Sequence, residues 1–165
     1  MIDDIVERSL HPPAEDFDAF YGRSRDRLYR ALALTLGDAD IAADAVNEAM
    51  TRALERWDKV GGYENPSGWV YRVGVNWGRS VQRQSNRRPR KALGSDSYEM
   101  SIPEPALAEA VAALPPRYRT VIVARYYLQW TPAEIAEAMH VPGATVRSRL
   151  KRGLQRLRRE MGAKP

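Results

Sequence analysis

The sequence predicts an all-α protein built as two small helical units joined by a linker. Three observations carry this. Apolar residues recur at helical spacing along most of the chain, and no segment shows sustained alternation between turn pairs, so no strand is needed. Residues 87–104 lose that periodicity and hold Pro89, Gly94, Ser95, Ser97 and Pro103, the composition of a linker. The 165 residues suffice for one medium domain or two small ones, and 44% hydrophobic with 28% charged residues marks a folded rather than a disordered chain. Two units of this size each have a thin core, which favours ordering against something else.

The elements follow in order. After an N-terminal tail, 1–14, a helix is expected over about 15–36 from the spacing of Phe17, Phe20, Tyr21, Leu28, Leu32 and Leu36, with Gly37 as its stop. Asp38 suits the N-cap of a second helix reaching about Trp57, with Ala42, Val46, Ala49, Met50 and Ala53 on its apolar face. Gly61 and Gly62 mark a loop, and Asn65-Pro66 restarts a helix to about Gln84. Here Trp69, Val73, Trp77 and Val81 form an apolar stripe beside a polar one, Arg72, Asn76, Arg79 and Arg83. The first unit therefore spans 15–86. The second, 105–165, opens with a short helix bearing Leu107, Val111 and Leu114, breaks at Pro115-Pro116, and continues from about Arg117 to Leu128.

Thr131-Pro132-Ala133-Glu134 carries three agreeing helix-start signals: a capping threonine, proline at the first position and a glutamate that completes a capping box. His140-Val141-Pro142-Gly143 breaks this helix, and another follows from about Ala144 to Met161. That is the length and turn chemistry of a helix-turn-helix. In the last helix Val146, Leu150, Leu154, Leu157 and Met161 share one face, while Arg147, Arg149, Lys151, Arg152, Arg156, Arg158 and Arg159 lie outside it. Guanidinium forks suit guanine edges and phosphates. Residues near the start of such a helix reach bases, which favours Arg147, Ser148, Lys151 and Arg152, with Thr145 and Arg149 beside them; later arginines suit phosphate.

Charge is distributed unevenly. Residues 79–91 hold six basic residues and no acid, and 142–165 hold eight against Glu160 alone. These two blocks carry +13 of a chain whose net charge is +5, leaving −8 for the rest. Two basic blocks on an acidic body imply two footprints on a polyanion. A different surface is offered by Asp44, Glu48, Thr51 and Glu55, an acidic stripe opposite the apolar face of the second helix; it suits solvation or a basic protein partner.

Other classes are disfavoured. There is no cysteine, so disulfides and thiolate metal sites are excluded, and a reducing, cytoplasmic setting fits. His11 and His140 lack ligand spacing, and no metal or other cofactor is expected. MIDDIVERSLHPP has no signal-peptide core and no stretch is long enough to span a membrane. No phosphate loop and no nucleophile with a placed base is visible, so an enzyme is not expected.

DADIAADAVNEAMTRALERW, NPSGWVYRVGVN and LPPRYRTVIVARYYLQWTPAEIAEAMHVPGATVRSRLKRGLQRLR, in this order, resemble the extracytoplasmic-function sigma factors of bacterial RNA polymerase over about 15–90 and 105–161. The resemblance implies a sigma factor that directs promoter recognition and melting, with core polymerase (clamp and flap), double-stranded and melted promoter DNA and an anti-sigma factor as partners. Asp44, Asn47 and Glu48, with Thr51 on the same stripe, match the helix that docks on the clamp. Val60, Gly61, Gly62, Tyr63, Glu64 and Asn65 match the loop that captures a flipped minus-ten base, and Asn76 a position near it. Arg147, Ser148, Lys151 and Arg152 match minus-thirty-five reading positions. The linker would thread toward the RNA exit path. The chain departs from the family pattern at Asn47 (usually Gln), Ser80 (often Asp), Gln129 (usually Gly) and Gly153 (usually Ala). A LuxR-type regulator is the alternative, since it shares such a helix-turn-helix, but it has no need of NPSGWVYR or the acidic stripe.

Overall fold

A computed structural model describes residues 2–3, 15–85 and 105–162. The expected linker, 87–104, and the N-terminal tail apart from residues 2–3 lie outside the described residues, as do the basic residues 87–91. Among the described residues the secondary structure is helical, without strands.

Helix α1, Phe17–Leu36, starts where the Asp16 carboxylate accepts the Ala19 N–H at 2.8 Å, and stops at Gly37 in the left-handed region, φ 70°. Asp38 caps α2, Ala39–Glu55, through the Ile41 N–H. The second helix was expected to reach Trp57; instead Arg56 leaves helical geometry and a short turn, α3, runs Trp57–Val60. The break turns the Trp57 indole onto Phe17 and Phe20, with ring centroids 5.5 and 4.9 Å away, and its N–H donates to the Glu15 carbonyl at 2.9 Å. Asn65 caps α4, Pro66–Gln84.

α1, α2 and α4 pack on one another. The inner face of α2 is mostly alanine, Ala42, Ala45, Ala49 and Ala53 being fully buried around Val46, so neighbouring backbones come close. α4 buries a different stripe from the one its tryptophans suggested. Val70, Tyr71 and Val75 are in the core, whereas Trp69, Val73, Trp77 and Val81 are half-buried. The reason is glycine: a Cβ on Gly74 would stand 2.8 Å from Leu32 Cδ1, and one on Gly78 would overlap Leu36, so the glycine side of α4 is the side that α1 can approach.

In the second half, α5 (Pro105–Ala112) leads to α6 (Pro116–Ile122), which continues as a π-helical turn over Val123–Tyr127. Leu128 and Trp130 N–H groups reach back to the Val123 and Ala124 carbonyls, and Gln129 is held at φ 62°. The resemblance noted above implies a glycine at this position. Gln129→Gly should therefore stabilise the fold by about 0.5–1 kcal/mol and raise Tm by roughly 2 °C; thermal unfolding followed by circular dichroism would show it, and an unchanged or lower Tm would refute it. α7, Pro132–Met139, has the expected capping box: Glu134 N–H to Thr131 Oγ1 at 3.2 Å, and Thr131 N–H to Glu134 Oε1 at 3.4 Å. His140, φ 54°, ends it, and α8 runs Gly143–Gly162. Gly153 has a packing reason, since a Cβ there would lie 3.0 Å from Ile122 Cγ1 and 3.3 Å from Tyr118 Cβ, where α6 crosses α8. Val146 and Leu150 are buried as expected, but Met161 at the far end of that face is exposed.

The thin cores of the two halves are relieved by each other. α4 packs on α7, and α1 on α5, α6 and the π turn. One contiguous apolar cluster runs from Phe20, Leu32 and Val46 through Val75 to Val121, Ile135 and Val146.

Candidate polymerase and nucleic-acid interfaces

The acidic stripe of α2 stands at the surface. Asp44, Asn47 and Thr51 are exposed, and Glu48 is half-buried against Arg52, Nε to Oε1 3.0 Å, an i, i+4 pair. The Thr51 hydroxyl donates to the Asn47 carbonyl at 2.8 Å, which commits its proton within the helix and leaves its oxygen free to accept. Leu54, one turn further along, is 56% exposed, an apolar residue at the end of the stripe that the pattern of acids did not reveal.

The proposed minus-ten residues do not all share one surface. Gly62, Tyr63 and Glu64 are exposed at the turn between α3 and α4, and Asn76 and Arg83 are exposed along α4. Val60, by contrast, is 1% exposed and belongs to the core, so its side chain anchors the loop rather than facing solvent. Gly61 is pressed on Trp57, where a Cβ would meet the indole at 2.8 Å. Asn65 is occupied by capping: its Oδ1 accepts the Gly68 N–H at 3.2 Å. Arg72 is half-buried in an open groove of about 460 Å³ that also takes in Tyr63, Glu64, Asn65 and Trp69 and is closed on the other side by Glu134, Glu137, Ala138 and His140 of α7. Arg79 turns away from the stripe altogether. Its guanidinium donates to the Pro116 carbonyl at 2.8 Å and to the Thr120 hydroxyl, and burial lowers its pKa, with Arg149 and Arg83 nearby acting in the same direction.

The start of α8 is open. Arg147, Ser148, Lys151 and Arg152 are exposed, while Thr145 and Arg149 are half-buried. Val146, Leu150 and Gly153 hold the opposite face against the body, so the helix is fixed while its basic side remains available. Further along, Arg156 and Arg117 lie over the Tyr118 ring, 5.1 and 4.6 Å from its centre. A hydrogen bond from Arg117, aided by Arg152 and Arg156, lowers the Tyr118 pKa. Among the described residues no group of three or more potential ligands is placed to hold a metal ion, and no helix is long and apolar enough to cross a membrane.

Residues 105–157 match the family model described as sigma-70, region 4. The extracytoplasmic-function RNA polymerase sigma factor SigL of Mycobacterium tuberculosis is 32% identical over 154 residues, covering 85% of each chain. This chain belongs to the extracytoplasmic-function sigma factors. A match of that extent takes in the first half as well as the helix-turn-helix, which separates the chain from a regulator that shares only the latter. The RNA polymerase sigma-E factor of Streptomyces avermitilis is 27% identical, with 92% of this chain and 88% of the relative covered, and SigW of Bacillus subtilis is also 27% identical. In fold, this sigma factor is similar to the sigma factor RpoE of Bartonella quintana, solved in complex with the anti-sigma factor NepR: TM-score 0.72, 18% identity, 91% of this chain and 99% of that one covered.

Proposed function

We propose that this sigma factor acts by binding, in three places. The exposed stripe Asp44, Asn47, Glu48 and Thr51 docks on the clamp of core RNA polymerase. The start of α8 reads the minus-thirty-five element in the major groove. The turn Gly61–Asn65, with Asn76, Arg72 and Arg83 of α4, receives an unpaired minus-ten base and the strand displaced with it. A flipped base loses a few kcal/mol, roughly, of stacking and pairing, which an aromatic neighbour such as Tyr63 or Trp69 offsets. An anti-sigma protein is a further partner, supported by the complex in which the similar Bartonella fold was solved.

The observation that carries this reading is the start of α8, where Arg147, Ser148, Lys151 and Arg152 stand in solvent on a helix whose other face is locked by Val146 and Leu150. Arg147→Ala and Arg152→Ala should each weaken binding by about 1–3 kcal/mol, with a loss that depends on the base pair opposite. Arg158→Ala should weaken all sequences evenly and flatten the salt dependence. Binding of the holoenzyme to a panel of single-base-pair variants measures both. An equal loss on every sequence for Arg147→Ala would make that residue a phosphate contact.

A further inference from the structure

Where α6 crosses α8, three arginines converge on one tyrosine. The guanidinium carbons of Arg117 and Arg156 lie 4.6 and 5.1 Å from the centre of the Tyr118 ring. Arg117 Nη2 also reaches the Tyr118 hydroxyl at 3.3 Å, and Arg152, one turn before Arg156, acts on the same hydroxyl. The ring is fixed in place: Tyr118 is buried, and a Cβ on Gly153 would stand 3.3 Å from its Cβ, so the tyrosine fills the crossing. All three arginines are exposed. Among the described residues no carboxylate forms an ion pair with any of them. Neither Arg117 nor Tyr118 has a part in the base reading assigned to α8.

This gathering of cations is held at a cost. Like charges on one ring repel, and each cation recovers only about 0.5–1 kcal/mol from the ring face at an exposed site. An anion removes the repulsion. Stacking occupies the flat face of a guanidinium and leaves free the N–H donors at its edge, the groups that pair bidentately with phosphate. It also restrains two long side chains before binding, each of which would otherwise lose about 0.5–1.5 kcal/mol of rotamer freedom. Position decides which anion. Arg152 and Arg156 are four residues apart on α8, directly after Arg147, Ser148 and Lys151, so the cluster continues the base-reading end of the helix. From Arg147 to Arg156 the helix rises about 14 Å, slightly more than the roughly 12 Å width of the major groove. A helix whose first turns reach bases therefore carries Arg156 to the edge of the groove, where phosphates lie.

We propose that Tyr118 is a positioning residue whose ring preorders Arg117 and Arg156 as a clamp on the phosphates of one strand beside the minus-thirty-five element. This deepens the DNA-reading role of α8 and rests on it. Binding of the holoenzyme to labelled promoter duplexes across a salt series tests it. Arg117→Ala and Arg156→Ala should each lower affinity about tenfold, as expected for one charge-assisted hydrogen bond. The loss should be the same on every minus-thirty-five variant. Each should also reduce the slope of log affinity against log salt by about 0.9, the share of one phosphate. Tyr118→Phe keeps the negative ring face and should bind within about twofold of wild type. Pentafluorophenylalanine in place of Tyr118 keeps the shape of the ring but reverses that face, and should weaken binding about fivefold or more. If that protein does not fold, Tyr118→Leu takes its place with the same expectation.

Salt slopes unchanged by both arginine variants would overturn the clamp, and so would losses that depend on the base pair. Equal binding by the phenylalanine and pentafluorophenylalanine proteins would overturn the positioning role of the ring. Weaker binding of the arginine variants to core polymerase, with DNA slopes unchanged, would make the cluster a protein contact and overturn the proposal as well. If wild-type holoenzyme does not distinguish minus-thirty-five variants, the DNA-reading role of α8 fails instead, and the salt slopes of Arg117→Ala and Arg156→Ala still judge the clamp.

Discussion

Asp44→Arg combined with Glu48→Arg is expected to reduce affinity for core RNA polymerase by more than about a hundredfold, because two attractive charges facing a basic clamp become two repulsive ones. The fold should survive. Asp44 is exposed, and Glu48 gives up only an i, i+4 pair with Arg52, in which both side chains are more than a third exposed. Such a pair contributes a few tenths of a kcal/mol at most, roughly. Ala45, Val46 and Ala49, which anchor the other face of α2, are untouched. Fluorescence anisotropy of labelled protein titrated with core enzyme gives the affinity, and circular dichroism confirms the helix content. Wild-type affinity in the double variant would remove the docking role from this stripe.

Tyr63→Ala with Asn76→Ala is expected to lower open-complex formation about tenfold or more, the scale set by losing one stacking platform of about 1–3 kcal/mol. Both residues are exposed, so little stability depends on them. Replacing the whole Gly61–Glu64 turn would be a poorer experiment, since Gly61 is pressed on Trp57 and Val60 before it is core. Core binding and minus-thirty-five contact should remain, and a template with a pre-melted bubble should restore part of the activity. Permanganate reactivity of unpaired thymines reports the opening. Wild-type melting by this variant would place base capture elsewhere on the protein.

What could be seen in the sequence was local. The capping box Thr131–Glu134, the stop at Gly37, the cap at Asp38 and the proline start at Pro66 each depend on residues within one turn, and each appears where the local chemistry puts it. The exposed acids of α2 and the basic start of α8 follow from helical spacing alone. The stripe on α4 went the other way because side-chain size was weighed and its absence was not: Gly74 and Gly78 draw Leu32 and Leu36 in, and the tryptophans are left half-buried. The left-handed Gln129 had a visible signal, the missing family glycine, but no periodicity marks a π turn. The seam between the two halves had no local signal. Tyr71 meets Thr120, and Arg79 meets Pro116, across separations of 49 and 37 residues, and only the folded chain brings them together. Arg79 therefore reads as one more member of a basic stripe until its partners are seen.

Run-off transcription with purified core RNA polymerase on a library of randomised promoters tests the central claim most directly. The account predicts transcripts that require this protein, that start downstream of one selected pair of spaced elements, and that vanish with the Asp44→Arg, Glu48→Arg variant. Sequence-specific binding to duplex DNA by the chain alone, with no transcript gained when core enzyme is added, would contradict it.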